Sequence, residues 1–288
     1  MNYQKMSLTA GLYFVGVPIG TARDITLRAL DVLASADVLA AEDTRSLRRL
    51  LDIHGIALAG RRLVSLHDHS AEAARTALVR SVSAGQSVAY AAEAGMPLIA
   101  DPGFELARDM VKAALPVTCA PGPSALTTAL ALGGLPTDAF FFAGFLPGAS
   151  RARRSALEEL RAVPGTLILY EAPKRIAAML EDAALSLGAT RAAAICREMT
   201  KRFEEVRRGT LADLASYAAA EPLKGEIVVL IDRDRLPTVN QIDISSILSE
   251  MMGDMSMRDA VDAVSAAHDL PRREVYQAAL ALKRGDNA

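Results

Sequence analysis

Two α/β domains followed by a short all-helical segment are what this sequence predicts, on three observations. Short apolar runs alternate with helix-period stretches from Leu12 to Ile231. A stiff break, Pro121-Gly122-Pro123-Ser124, divides that alternation, because two prolines around a glycine cannot continue a strand. Residues 238–288 then carry helical patterns and no strand. Strands alternating with helices of about ten residues or more imply a mostly parallel sheet covered on both faces. The expected boundaries are 10–121 and 122–237 for the α/β domains and 238–288 for the tail.

Each element has its own signal. Leu12 to Val17 reads as a buried strand ending at the turn Pro18-Ile19-Gly20. Ile25, Leu27, Leu30 and Leu33 recur near helical spacing and predict a helix over Asp24 to Ser35. Val38 to Ala41 is a second strand and Asp43 to Leu51 a short basic helix. Strand, helix and strand follow at Arg62 to Leu66, Ala71 to Ala84 and Ser87 to Ala91, then a helix at Phe104 to Leu115 and a strand at Val117 to Ala120. Past the break, helices are expected at Ala125 to Leu132, Arg151 to Arg161, Pro173 to Leu187 and Leu211 to Ala219. Strands are expected at Phe140 to Ala143, Thr166 to Tyr170, Ala192 to Cys196 and Glu226 to Ile231, with an antiparallel one at Phe203 to Arg208. In the tail, Met257 to Ala267, the turn Asp269-Leu270-Pro271 and Arg273 to Leu282 resemble a helix-turn-helix.

Composition narrows the function classes. With 288 residues, 51% hydrophobic and 23% charged, the chain is globular rather than disordered. No run approaches eighteen apolar residues without a charge or turn residue, so no membrane span is expected. Met1 to Met6 lacks the apolar core of a secretory signal. Cys119 and Cys196 form no CxxC pair, which disfavours a disulfide framework and a zinc finger and fits a reducing cytoplasm. The net charge of −2 does not advertise non-specific polyanion binding. The tail has 5 basic against 8 acidic residues, so docking onto the body of the protein or a partner is expected of it rather than DNA reading. Arg272, Arg273, Lys283 and Arg284 are its only plausible phosphate contacts.

Several segments could carry chemistry. The turn at 15–20 follows the first strand, where open α/β sheets bind ligands, yet it is neither GxGxxG nor a Walker loop; it lines a ligand or simply packs tightly. The loop from Glu93 to Gly103, with two prolines, two glycines and two carboxylates, is rigid enough to read an adenosine and an amino-acid group without a metal; its bland reading is a crossover with Asp101 near a helix start. His67-Asp68-His69 has two imidazoles on one face but lacks further ligands at metal spacing, so no metal is expected. From Phe145 to Ala178, Arg151, Arg153, Arg154, Arg161, Lys174 and Arg175 stand against three acidic residues, a local +3 that either tracks phosphates or is a solvated face. The run from Arg197 to Thr210 mixes both signs as a surface or ion-pair network would. No GxSxG elbow, lipase-like triad or kinase motif set is present.

In order, these segments resemble the bacterial small-subunit ribosomal RNA methyltransferase I family, of the tetrapyrrole-methylase-like class. The carrying stretches are GVPIGTARDITLRAL at 16–30, AAEDTRSLRRLL at 40–51, SLHDHS at 65–70, EAGMPLIADPG at 93–103, APGPSAL at 120–126, GLPTDAFFFAGFLP at 134–147, YEAPKR at 170–175 and REMTKRFEEVRRGTL at 197–211. The resemblance implies a class III methyltransferase with two α/β domains, S-adenosylmethionine in the cleft between them, and a homodimer. It implies 2′-O-methylation of a cytidine in 16S ribosomal RNA of the small subunit. Pro18, Gly95, Met96, Pro97, Ile99, Ala100, Asp101, Ser124, Ala125, Phe145, Leu146 and Tyr170 are then expected to line the cofactor cleft. Glu93 and Met96 stand where the family commonly has Asp and Thr, and Asp68 and Ser70 where Glu and Asn are usual.

For the implied reaction the protein must mainly align the attacking oxygen, the methyl carbon and the sulfur. Candidate bases are Glu171, Asp43, His67 and Lys174; Glu171 and Lys174 are preferred because they sit at a strand end facing the expected cleft. Glu42, Asp43, Arg45, Arg151, Arg153, Arg154, Arg175 and Lys201 are the expected RNA contacts. Rival readings keep the fold but methylate a tetrapyrrole carbon, or bind the ribosomal subunit without catalysis.

Overall fold

A computed structural model describes residues 2–66, 71–101, 103–233, 244–268 and 270–285. The chain divides into two compact units, Met1–Asp234 and Arg235–Ala288. The first unit contains two five-stranded sheets.

The first sheet is built from β1 (Gly11–Val15), β2 (Val38–Ala41), β3 (Arg62–Ser65), β4 (Ser87–Ala91) and β5 (Val117–Ala120), in the order β3-β2-β4-β1-β5. Every pair is parallel. Helices α1 (Leu27–Ser35), α2 (Thr44–Ile53), α3 (Ala71–Ser83) and α4 (Phe104–Lys112) cross between the strands. Side chains alternate along each strand, so β1 sends Tyr13 and Val15 into a core with Leu30, Leu33 and Leu51, and Leu12 and Phe14 into another with Leu78, Leu106 and Met110. This two-sided burial is why β1, β2 and β4 read as continuous apolar runs. The helix expected from Asp24 starts instead as a single 3₁₀ turn at Ala22–Asp24, and α1 begins after Thr26, whose hydroxyl accepts the Ala29 N–H at 3.1 Å.

The second half contains α5 (Ala125–Gly133), β6 (Phe140–Phe145), α6 (Ser150–Leu160), β7 (Thr166–Glu171), α7 (Ile176–Leu187), β8 (Ala192–Arg197), β9 (Glu205–Thr210), α8 (Leu211–Ala220) and β10 (Ile227–Ile231). Its order is β6-β7-β10-β8-β9. The antiparallel strand expected here is β9, which pairs with β8, while the expectation of a mostly parallel sheet is corrected at β10: β6 and β7 are parallel, but β10 runs antiparallel to both β7 and β8. The reason is connection length. The loop from Glu198 to Glu204 is too short for a crossover and returns β9 beside β8 as a hairpin. Helix α7 starts at Ile176 rather than Pro173, after a turn in which the Arg175 N–H reaches the Ala172 carbonyl at 2.9 Å. α8 opens with a capping box between Thr210 and Asp213.

In the second unit, α9 (Ile244–Asp254), α10 (Met257–His268) and α11 (Arg272–Gly285) share a small core of Leu248, Ala260, Val261, Val264, Val275 and Ala279. Arg272, one of the expected phosphate contacts, is ion-paired with Asp262. No described helix is long and apolar enough to cross a membrane.

Candidate functional site

The carboxyl ends of the parallel strands converge on a cavity of about 340 Å³. The turn after β1 supplies Ile19, the loop after β4 supplies Ala94 to Met96 and Ile99 to Asp101, and the segment after β5 supplies Ser124 and Ala125. The second half contributes Phe145 from the end of β6, Tyr170 to Pro173 around the end of β7, and Met199 after β8. The antiparallel β10 brings its opposite end, Gly225 to Val228, to the same edge.

Close backbone approach builds the cavity. The Val17 N–H bonds to the Gly95 carbonyl at 2.9 Å and the Gly95 N–H returns to Val17 at 3.1 Å, joining the turns after β1 and β4. A Cβ on Gly16 would lie 2.6 Å from the Gly122 nitrogen, so only glycine lets these two chains touch. Met96 bonds through sulfur to the Gly122 N–H at 3.3 Å. Across the cleft, the Thr21 N–H donates to the Thr200 hydroxyl at 3.2 Å, tying the first half to the loop after β8. Leu98, Ala100, Glu198 and Thr200 all have φ between 50° and 75°, the left-handed region that non-glycine residues avoid. Strain concentrated in two loops of one cavity is the pattern of a functional site.

Charge is arranged asymmetrically. The cavity lining includes Asp101, Glu171 and Glu226 and neither lysine nor arginine. Burial, then Glu42, then Glu93, push the Asp101 carboxyl up to about 7. Burial and the neighbouring Asp101 push the Tyr170 hydroxyl up to about 12. The Tyr170 ring packs edge-on against Phe142 and Phe145, with centroids at 4.9 and 5.8 Å. Glu171 is buried and ion-paired with Arg175 at 3.1 Å, and it also accepts the Ala172 N–H at 2.8 Å. Arg175 in turn donates to the Leu146 carbonyl at 2.5 Å, locking the ends of β6 and β7 together.

Of the residues expected around the cofactor, Gly95, Met96, Ile99, Ala100, Asp101, Ser124, Ala125, Phe145 and Tyr170 line this cavity. Pro18 lines a neighbouring one, and Pro97 and Leu146 are buried behind the lining. Glu171 faces the cavity; Lys174 is exposed and outside the lining. Asp43 caps α2 through the Arg45 N–H at 2.7 Å, and its pairing with Arg45 holds its carboxyl below the usual carboxylate range. Arg45, Arg151 and Arg154 are exposed. Arg153 is a correction: only 4% exposed, it pairs with Asp182 at 2.6 Å and pins α6 to α7, so it offers no surface to RNA. Lys201 is committed to Glu198 and Glu226 at 2.9 and 2.7 Å. His67, Asp68, His69 and Ser70 lie outside the described residues. Sequence reasoning did not find Ile19, Met199 or Gly225 to Val228. The last group stands at the amino end of a strand, where the carboxyl-edge rule does not look.

This fold and cleft define a tetrapyrrole-methylase-class protein. The family model described as tetrapyrrole (corrin/porphyrin) methylases matches residues 11–215, and that of the RsmI C-terminal HTH domain matches residues 239–283. Uroporphyrin-III C-methyl transferase from Thermus thermophilus, solved with S-adenyl homocysteine, shares the fold with a TM-score of 0.54 at 21% identity, over 76% of this chain and 96% of its own. Proteins named ribosomal RNA small subunit methyltransferase I are much nearer in sequence. That of Mesorhizobium japonicum is 44% identical over 96% of this chain and 93% of its own length, and that of Mycobacterium bovis 41% identical over 96% and 97%. The chain belongs to the ribosomal RNA small subunit methyltransferase I family.

Proposed function

We propose that this protein methylates the ribose 2′-oxygen of a cytidine in 16S ribosomal RNA, using S-adenosylmethionine, acting on the small subunit in the cytoplasm. The observation that carries the reading is the acid-lined, apolar-walled cavity in a chain 41–44% identical to the two relatives above. The donor is positively charged at sulfur and at its amino group. Three carboxylates and no cation in the lining complement that charge, while Ile19, Ile99, Phe145 and Val228 suit its apolar parts. Bound there, the donor supplies a methyl group already activated on sulfur.

The remaining work belongs to the chain. Holding the acceptor oxygen in line is worth roughly 7–11 kcal/mol of barrier. Two of the lining carboxylates stand in different surroundings. Glu171 is held by Arg175 and serves as a positioning group. Asp101, surrounded by other acids, titrates near neutrality, where a general base works best, and its carboxylate oxygen takes the proton. Tyr170 stays protonated and can donate a hydrogen bond into the cavity. Arg45, Arg151 and Arg154 contact RNA phosphates. Val117 on edge strand β5 and Phe140 and Phe141 on edge strand β6 are exposed apolar residues that a second copy would cover in a homodimer.

The test is transfer of a labelled methyl from S-adenosylmethionine to small subunits lacking the modification, with the label mapped. Label on one cytidine ribose is the expected result. Label on a base, or donor binding with no transfer to RNA, overturns the reading.

A further inference from the structure

A second cavity, of about 420 Å³, opens beside the first and is used by nothing described so far. The two share a wall. Val17, Pro18, Ala92 and Glu93 line the second cavity, while the residues that follow them, Ile19 and Ala94 to Met96, line the first. The paired backbone of Val17 and Gly95 is the partition. The far side of the second cavity is helix α2, through Ser46, Leu47, Arg49 and Leu50.

Its chemistry is distinct from that of the first. Apolar surface from Pro18 and Leu50 faces one carboxylate, Glu93, and one guanidinium, Arg49. Arg45, Arg48 and Arg49 are exposed along α2, and the Arg45 side chain is 90% accessible despite its contact with Asp43. The Glu93 charge is felt both by Arg45 on this helix and by Asp101 in the first cavity, so Glu93 stands electrostatically between them. A volume of this size admits a pyrimidine with room for its sugar, within the range of small-molecule sites.

We infer that the second cavity receives the base of the target nucleotide, with Glu93 accepting a hydrogen bond from the 4-amino group of cytosine. This rests on the RNA methylation reading above and adds to it the reason for cytosine. A carboxylate accepts from the cytosine amino group, whereas uracil places a carbonyl oxygen there and is repelled. The arginines of α2 sit where phosphates of the flanking backbone would pass. A base seated behind the partition leaves its ribose to reach toward the first cavity, whose lining includes Asp101.

The experiment compares kcat/KM on small subunits carrying cytidine or uridine at the labelled nucleotide. Wild type is expected to prefer cytidine by about 10–100-fold, the discrimination a good polar base contact supplies. Glu93→Ala should abolish that preference while leaving the dissociation constant for S-adenosylmethionine unchanged. Ser46→Trp, which fills the cavity from α2, should raise KM for cytidine subunits about tenfold with the donor still bound normally. Retention of the wild-type preference by Glu93→Ala, or an unchanged KM in Ser46→Trp, overturns the inference. If Glu93→Ala labels neither subunit, Ser46→Trp decides. Absence of label with wild type is a different failure, seen before any variant is made, and removes the parent reading and this one together.

Discussion

Two loops line the same cavity and handle charge in opposite ways. In the loop from Glu93 to Asp101, burial, and after it the charges of Glu42 and Glu93, raise the Asp101 carboxyl. The loop from Glu198 to Glu204 and the first residue of β9 carry three carboxylates, and each has a partner. Glu198 accepts from Lys201 at 2.9 Å, Glu204 from the Thr200 N–H at 2.7 Å, and Glu205 from Arg197 at 2.7 Å and the Tyr217 hydroxyl at 3.1 Å. The carboxyls of Glu198 and Glu205 are accordingly lowered, chiefly by hydrogen bonds from Lys201 and Arg197. The difference teaches a division of labour: the second loop ties its charges together, and the first leaves a carboxyl titrating near neutrality.

The sharpest way to break this comparison is Asp101→Asn. Turnover is expected to fall about 10²–10⁴-fold, the usual worth of a general base. Calorimetric binding of S-adenosylmethionine should weaken far less than turnover falls, since Glu171 and Glu226 remain in the lining; a variant with full turnover would end the assignment. In wild type, kcat should rise with pH through about 7 as Asp101 ionises, and that limb should vanish in the variant.

A comparable effect, on stability instead of rate, is expected where the second half buries its ions. Asp182→Ala strands Arg153 in the core, and urea unfolding should show a loss of about 3–5 kcal/mol. A loss no larger than that of a surface substitution would mean the pair is not holding α6 to α7.

Smaller again is Gly225→Ala. The glycine has φ +86° and an added Cβ would press on the Glu198 carboxylate, so the β10 end of the cavity should shift. Donor affinity should weaken about tenfold while the thermal midpoint falls only modestly, because the strain is local. Unaltered affinity would remove the β10 end from the donor site.

The mildest test is the pH dependence of stability, where the two loops should show opposite signs. Asp101 binds its proton more tightly folded than unfolded, so its ionisation costs stability as pH rises from about 4 to 7. Asp101→Asn should therefore gain on wild type in thermal midpoint across that window. Glu205 binds its proton less tightly when folded, so Glu205→Gln should be less stable than wild type at pH 7 and approach it as pH falls below 4.5. Parallel curves for the two variants would dissolve the contrast.

Legibility followed the same line between the halves. In the first, Ser87–Ala91 was readable to the residue because a strand buried on both faces leaves an uninterrupted apolar run, and the edge strand Val117–Ala120 because Pro116 and Pro121 bound it. The loop after β4 was readable as a site because in a parallel sheet every carboxyl end faces one edge. In the second half the strands were equally visible and the antiparallel β9 was expected, but the direction of β10 was not. Apolar periodicity is the same for a strand run either way, so the reversal of β10, and with it the placement of Gly225 to Val228, left no trace in the pattern. Arg153 misled for a related reason: a charged residue on an exposed-looking helix carries no mark of the partner, Asp182, twenty-nine positions away.

The amino-acid sequence by itself determined the alternation of strands and helices, the Pro-Gly-Pro break, the helical end and the rigid acidic loop, since these depend on local periodicity and backbone stereochemistry. The tertiary structure alone decided which carboxylates are paired and which stand together. Pairing and burial depend on residues distant along the chain, and it is their proximity in space that holds Glu171 as an ion-pair partner and leaves Asp101 near neutrality.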